Sequence, residues 1–293
     1  MNTEKSKPQL LDVVDSHFHV FAAQTAQTAL TGARYIPAYE ATLSAWQTAA
    51  RASGVGRGVL VQTSFMGTDN GHLLTALAAF PQTLRGVAVV APGASLASLQ
   101  SLHEQGVRGI RLNLAGGSHD LSAWARATAL WDALLQLGWH LQLHTDRGAL
   151  PPVLAALPEA LALVIDHFGR PASDAADDET LRAVVRRSRL GGRQVHIKLS
   201  AAYRLGGLSP QTLARRWQGE LGSQALLWGS DWPCTNHEAS ADYEALFNAL
   251  ASWLSDDATA LAAVRSTNPL RLYWGTGGNE AEPKGDLGSD REG

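Results

Sequence analysis

Eight short apolar runs alternate with longer amphipathic segments along almost the whole chain, and this alternation limits the possible folds more than any other feature. The runs span 12–17, 58–62, 84–90, 107–113, 140–144, 161–167, 195–200 and 226–230. They are rich in Val, Leu and Ile and nearly continuous in apolar character, as strands buried on both faces read. Helical spacing of apolar residues covers 40–52, 70–79, 96–105, 121–137, 179–189 and 210–221, and 242–264 supplies closing helices. Ser209-Pro210 places a cap before a first-turn proline, and Gly106, Gly138 and Gly222 follow helical stretches as terminators. The segments share no fixed period, so the alanine-rich composition does not make a helical repeat array. Strands that alternate with helices form a parallel sheet, and eight of them in 293 residues predict a closed (β/α)8 TIM barrel, an α/β fold in a single domain. The competitor, an open doubly wound sheet, would carry a glycine-rich phosphate turn after its first strand. His17-Phe18-His19 occupies that place.

Composition narrows the function classes. Hydrophobic residues make up 45% of the chain and charged residues 17%, the balance of a globular protein with a substantial core. A net charge of −3, without a Lys/Arg block, argues against nucleic-acid and membrane-surface partners. Apolar runs fall short of the roughly 20 residues a membrane helix needs, and the first eight residues are polar. The single cysteine, Cys234, cannot form an internal disulfide and fits a reducing compartment, so a cytoplasmic protein is expected. Residues 1–9 are predicted to be a disordered leader, 10–274 the barrel, and the Gly/Glu/Asp-rich 275–293 a disordered tail.

Catalytic groups on a (β/α)8 barrel sit at the C-terminal ends of its strands, and polar residues gather there in this chain. Strand 1 ends in His17 and His19, two imidazoles which strand alternation aims into one space. Strand 2 leads to Ser64, strand 4 carries Arg111, and strand 5 ends in His144. Strand 6 ends in His167 with Arg170 behind it, strand 7 is followed by Arg204, and strand 8 ends in Asp231. Any one of these is as easily a structural residue. Together, imidazoles and a carboxylate can hold a divalent cation or run acid–base chemistry. Arg111, Arg170 and Arg204 follow different strands and can converge on one anion, or each can pair with a structural carboxylate such as Asp166 or Asp174. Asp15 reads as a buried structural hydrogen-bonding group, and Cys234 as inert.

The motifs Asp15-Ser-His-Phe-His19, Gln62-Thr-Ser-Phe-Met-Gly-Thr-Asp-Asn70, Gly106-Val-Arg-Gly-Ile-Arg-Leu-Asn113, Val164-Ile-Asp-His-Phe-Gly-Arg-Pro171 and Trp228-Gly-Ser-Asp-Trp-Pro233 occur in that order. In this set, and in the closing Thr267-Asn-Pro-Leu-Arg-Leu-Tyr273, the chain resembles the amidohydrolase superfamily, and within it the 2-pyrone-4,6-dicarboxylate lactonase-like branch. The resemblance runs from about residue 12 to 274. It implies a barrel that opens a cyclic ester, with Asp231 handling protons, His17, His19 and His167 around the reacting carbonyl, and Ser64, Arg111, Arg170 and Arg204 on a small anionic lactone or carboxylic acid. Two departures stand out. The loop Leu114-Ala-Gly-Gly-Ser-His119 lacks the arginine that the branch uses for its dicarboxylate. His144 stands where the branch has a tyrosine and where metal-binding members of the superfamily have a histidine.

His17, His19, His144 and Asp231 are therefore predicted to hold one divalent cation, Zn²⁺, leaving an open position for water. A metal-free mechanism, in which Asp231 activates water unaided, is the alternative. Two other functions remain compatible with the residues: one-metal non-oxidative decarboxylation of a small aromatic or unsaturated acid, and a non-catalytic barrel that binds small acids. A homo-oligomeric assembly is allowed by the composition.

Overall fold

In the computed structural model, which describes residues 12–24, 35–190 and 195–275, eight parallel strands form one sheet in sequential order. They are β1 (Val14–Phe18), β2 (Arg57–Val61), β3 (Leu84–Ala88), β4 (Val107–Asn113), β5 (His140–His144), β6 (Ala162–Ile165), β7 (Val195–Leu199) and β8 (Leu226–Trp228). The helices are α1 (Leu43–Ala52), α2 (Gly71–Ala79), α3 (Leu96–Glu104), α4 (Thr128–Leu137), α5 (Leu150–Ala156), α6 (Glu179–Leu190), α7 (Pro210–Leu221), α8 (Tyr243–Trp253), α9 (Ala258–Ala262) and α10 (Asn268–Trp274). This is the expected (β/α)8 barrel. The leader, and the tail beyond Gly275, lie outside the described residues.

Where the elements differ from expectation, backbone chemistry explains it. β6 and β8 end two residues earlier than the apolar runs because His167, Phe168 and Asp231 take left-handed conformations, with φ of 53°, 57° and 57°. Such residues cannot continue a strand. The 121–137 segment divides into a 3-10 turn, Ser122–Trp124, and α4. Helix α5 lies outside the segments with helical spacing; Pro151 and Pro152 sit in its first turn, where proline is tolerated.

The wall of the barrel is packed by aromatic residues. Phe18 stacks on Trp46 of α1 at 3.8 Å between ring centres, while Trp139, Trp217 and Trp228 are fully buried. Inside, Val14, Val59, Val61, Val87, Val164 and Leu227 form a layer against Tyr273 of α10. The branched side chains of successive strands thus fill the barrel as a core.

The seam between β8 and β1 closes through side chains as well as backbone. Asp231 N donates to His17 O and His19 N to Trp232 O, both at 2.8 Å. The β1 register shifts between Asp15 and Phe18, and the Asp15 carboxylate, buried, accepts from Ser230 N (2.9 Å), Ser230 Oγ (2.7 Å), Trp46 Nε1 (3.0 Å) and Tyr243 OH (3.1 Å). Asp15 is the structural staple of the closure. Gly229 lets the strands meet: a Cβ there would lie 2.5 Å from His17 Cβ and 2.9 Å from His17 N. Gly229→Ala must push β8 off β1, so it is expected to destabilise the fold by about 1–3 kcal/mol and to displace His17 and Asp231 together. Urea unfolding alongside turnover tests this; a variant of unchanged stability would contradict the close approach.

His140 and His196 are buried in the barrel, and burial lowers their pKa values to about 3 and about 4 from 6.5. Below pH 6.5 the unfolded chain therefore binds protons that the folded chain refuses, and stability falls as pH drops toward the folded values. Each ring is expected to remove about 2 kcal/mol between pH 7.5 and 5. Denaturant midpoints at the two pH values check this; equal midpoints would mean the rings carry no such shift.

Candidate active site

The seam places three imidazoles around one carboxylate oxygen. Asp231 Oδ1 lies 3.4 Å from His17 Nε2, 3.4 Å from His19 Nε2 and 3.8 Å from His167 Nε2. All four residues are buried. The left-handed turns after β6 and β8 carry His167 and Asp231, at a backbone cost of about 1–2 kcal/mol per residue.

The second nitrogen of each ring decides what the first can do. His19 Nδ1 is 2.6 Å from the Val61 carbonyl, and His17 Nδ1 is 3.2 Å from Asp166 Oδ1. Neither acceptor carries a hydrogen, so the proton of each neutral ring is assigned to Nδ1 and the Nε2 lone pair faces the cavity. The two Nε2 atoms are 3.3 Å apart. Two lone pairs and a carboxylate oxygen thus converge without a hydrogen to share.

Electrostatics keeps these states in place. Burial pushes the His17 pKa well below its ordinary value, against the pull of Asp166, and burial lowers His167 to about 3. Burial opposes ionisation of Asp231, but His167 and Arg204 outweigh it and hold its pKa well below 3.8. At neutral pH Asp231 is a carboxylate beside the neutral imidazoles of His17 and His167. His167 Nδ1 is fixed by Ser200 Oγ at 2.9 Å.

A cavity of about 270 Å³ opens over this cluster, lined by residues that include His19, Ser64, Arg111, His144, His167, Arg170, Arg204 and Asp231. A larger groove of about 780 Å³ between α6 and α7 lies on the outside of the barrel and contains none of the expected site residues. The arginines are less available than expected. Arg111 Nε pairs with Asp166 Oδ2 at 3.0 Å, the structural alternative allowed for it. Arg204 donates from Nε to Asp231 Oδ2 (3.0 Å) and from Nη2 to Thr235 O (2.8 Å). Arg170 donates to Thr145 O at 3.1 Å and lies 3.7 Å from Asp146.

Among the described residues, two groups have ligand atoms close enough to share a metal ion: His17, His19 and Asp231, and His17, Asp166 and His167. His144 belongs to neither. Its ring meets His167 at 4.6 Å between centroids, but Nδ1 lies 3.3 Å from Arg111 Nη2 and Nε2 3.5 Å from Arg170 Nη1. Strand alternation places His144 at the cavity without revealing that two guanidinium groups face it.

Several site residues escaped the sequence reading. Asp166, weighed only as a pairing partner, joins His17, Arg111 and Gln142, and lies 3.9 Å from Lys198. Tyr203 donates to Asp231 Oδ2 at 2.8 Å beside Arg204. Asp146 lines the mouth. Their only signal was adjacency to residues already chosen: Asp166 precedes His167, Tyr203 precedes Arg204, and Asp146 follows His144 by two.

The fold and this cluster define a class, and comparison with known proteins agrees. The amidohydrolase family profile matches residues 14–274; the chain belongs to that family. It is similar to the 2-pyrone-4,6-dicarboxylate hydrolase of Comamonas testosteroni, 29% identical with 92% of this chain and 93% of the relative covered. It is also similar to the 4-sulfomuconolactone hydrolase of Rhizobium radiobacter, 27% identical over 88% of this chain and 89% of that protein. Among solved structures, a probable 2-pyrone-4,6-dicarboxylic acid hydrolase from Acinetobacter baumannii with citric acid bound superposes with a TM-score of 0.79 at 32% identity, covering 90% of this chain and 99% of that one.

Proposed function

We propose that the protein is a hydrolase that opens the ring ester of a small anionic lactone by attack of water, with Asp231 as general base. The observation that carries this reading is the convergence of His17, His19 and His167 on Asp231 Oδ1 beneath a cavity lined by arginines. The names of the two curated relatives, both hydrolases and one of a lactone, support the same chemistry.

In the ground state Asp231 is anionic, and Tyr203 and Arg204 hold Oδ2 so that Oδ1 faces the cavity. Water attacks the ester carbonyl carbon as Asp231 Oδ1 takes its proton. His167 and the Arg111 guanidinium face the side where the oxyanion develops and stabilise it. On collapse the ring C–O bond breaks and Asp231 returns the proton to the departing oxygen. Ser64 and Arg170 hold the substrate's anionic group.

His17, His19 and Asp231 would hold one divalent cation, Zn²⁺ in our reading, and the two converging lone pairs fit one. When bound, the cation supplies Lewis acidity toward a carbonyl oxygen. His144 would have to leave both its arginines to join as a further ligand. A reducing, cytoplasmic setting fits the single buried thiol, and no helix among the described residues is long and apolar enough to cross a membrane.

A panel of lactones, followed by acid release and product mass, tests the activity: ring opening adds one water to the substrate. Decarboxylation would instead release carbon dioxide, and binding without turnover would make the barrel a binding protein. Elemental analysis of protein purified without chelator is expected to find about one equivalent of divalent metal, and His19→Ala to lose it. Metal-free protein with full activity would leave hydrolysis standing and remove the cation.

A further inference from the structure

Each of the three arginines that line the cavity has a carboxylate beside it. Arg111 faces Asp166 at 3.0 Å, Arg204 faces Asp231 at 3.0 Å, and Arg170 faces Asp146 at 3.7 Å. Asp166 and Asp231 have work in the histidine cluster. Asp146 has none there: it belongs to neither metal-capable group, and it lines the mouth of the cavity half-exposed.

Its placement is nevertheless held from two sides. Gly116 N reaches both carboxylate oxygens, at 3.0 and 2.9 Å, and His119 Nε2 accepts from Asp146 N at 3.1 Å. The loop after β4 thus holds a negative charge beside Arg170, whose one carboxylate within ion-pair distance among the described residues is Asp146. The two groups lie 3.7 Å apart, within range to interact as charges.

From this we infer that Asp146 is a specificity-determining residue that admits a substrate with a single carboxylate and a hydrogen-bond donor, such as a hydroxyl, on the side facing Asp146, and turns away a dicarboxylate. A second carboxylate on that side would meet the carboxylate of Asp146, with Arg170 already shared between Asp146 and the substrate's one carboxylate. Like charges at contact distance oppose binding, whereas a hydroxyl donates to the carboxylate oxygen and needs no further cation. The mechanism is negative selection by charge. It separates this chain from the dicarboxylate named for its Comamonas relative. The inference rests on the cavity being the substrate site, as the proposed function has it, but not on turnover.

The test uses binding of two stable ring acids, 3-hydroxybenzoate and benzene-1,3-dicarboxylate, which differ by a hydroxyl against a second carboxylate. Isothermal titration of the full-length protein is expected to give at least tenfold tighter binding of the hydroxy acid. In Asp146→Asn, which keeps an oxygen to accept from Gly116 N, dicarboxylate affinity is expected to rise about tenfold and the preference to vanish. Asp146→Ala gives a second reading should the amide disturb the loop. A wild-type protein that prefers the dicarboxylate, or variants whose affinity ratio stays within twofold of wild type, would overturn the inference. If no lactone is hydrolysed but the ratio moves as expected, the hydrolase reading falls and this one stands. If lactones are hydrolysed and the ratio does not move, the reverse holds.

Discussion

Asp231→Asn is expected to lower kcat/KM for the lactone by about 10³-fold or more, with the barrel still folded. General base catalysis alone contributes about 10²–10⁴, and the substitution also removes an anion around which His17, His19 and His167 are arranged. The amide keeps the shape of the side chain and can still accept from Tyr203 OH. It loses the charge that pairs with Arg204 at 3.0 Å, so a lower melting temperature should accompany the loss of rate. The split between constants is informative: kcat should fall far more than KM, because the base acts in the transition state while Arg111 and Arg170 keep their own carboxylates. A variant with near-normal kcat would remove Asp231 from the chemistry.

The second large effect falls on stability. Asp166 is fully buried beneath the site, 3.0 Å from Arg111 Nε, 3.2 Å from His17 Nδ1 and 3.9 Å from Lys198 Nζ. Gln142 bridges the group, donating to Asp166 Oδ1 at 2.9 Å while accepting from Lys198 at 2.8 Å. His17 and Arg111 hold the Asp166 pKa well below 3.8 although burial, the largest influence, opposes them. Asp166→Leu would leave the Arg111 guanidinium without its counter-charge and Lys198, whose pKa burial lowers to about 7, without the carboxylate that raises it, so unfolding free energy is expected to fall by about 3–5 kcal/mol. Adding Lys198→Met to Asp166→Leu should recover part of that loss, because it removes a buried amine that Asp166 no longer offsets. A double variant whose loss equals the sum of the single losses would show that Asp166 and Lys198 do not interact.

The barrel was legible because each strand is a short apolar run and each crossover an amphipathic one, and those periods survive in any sequence that builds this architecture. The residues at the strand tips were legible for the same reason. Once the strands were placed, His17, His19, His144, His167 and Asp231 had to stand at one end of the barrel. Which of them touch was not legible. His17 meets Asp231 only because the barrel closes at the β8–β1 seam; Asp15 reads in sequence as a buried structural group, but its partners across that seam do not, and nothing marks the close approach at Gly229. His144 occupies an equivalent strand tip yet faces Arg111 and Arg170, since its neighbours come from β4 and from the loop after β6. The left-handed turns at His167 and Asp231 are not readable locally either: His and Asp enter that conformation more often than most residues, but nothing in the sequence singles out these two. Asp166, Tyr203 and Asp146 were hidden because an isolated polar residue beside a chosen one carries no periodic signal. Charge pairing between distant strands is a property of the closed barrel alone.

The measurement that bears most directly on the central claim is turnover in ¹⁸O-labelled water with a carboxylated lactone, read by mass spectrometry of the product and by gas analysis. Water attack on the ring carbonyl places one labelled oxygen in the new carboxylate and releases no carbon dioxide. Product lacking the label, or carbon dioxide formed in step with substrate loss, would contradict the assignment of this cluster to ester hydrolysis.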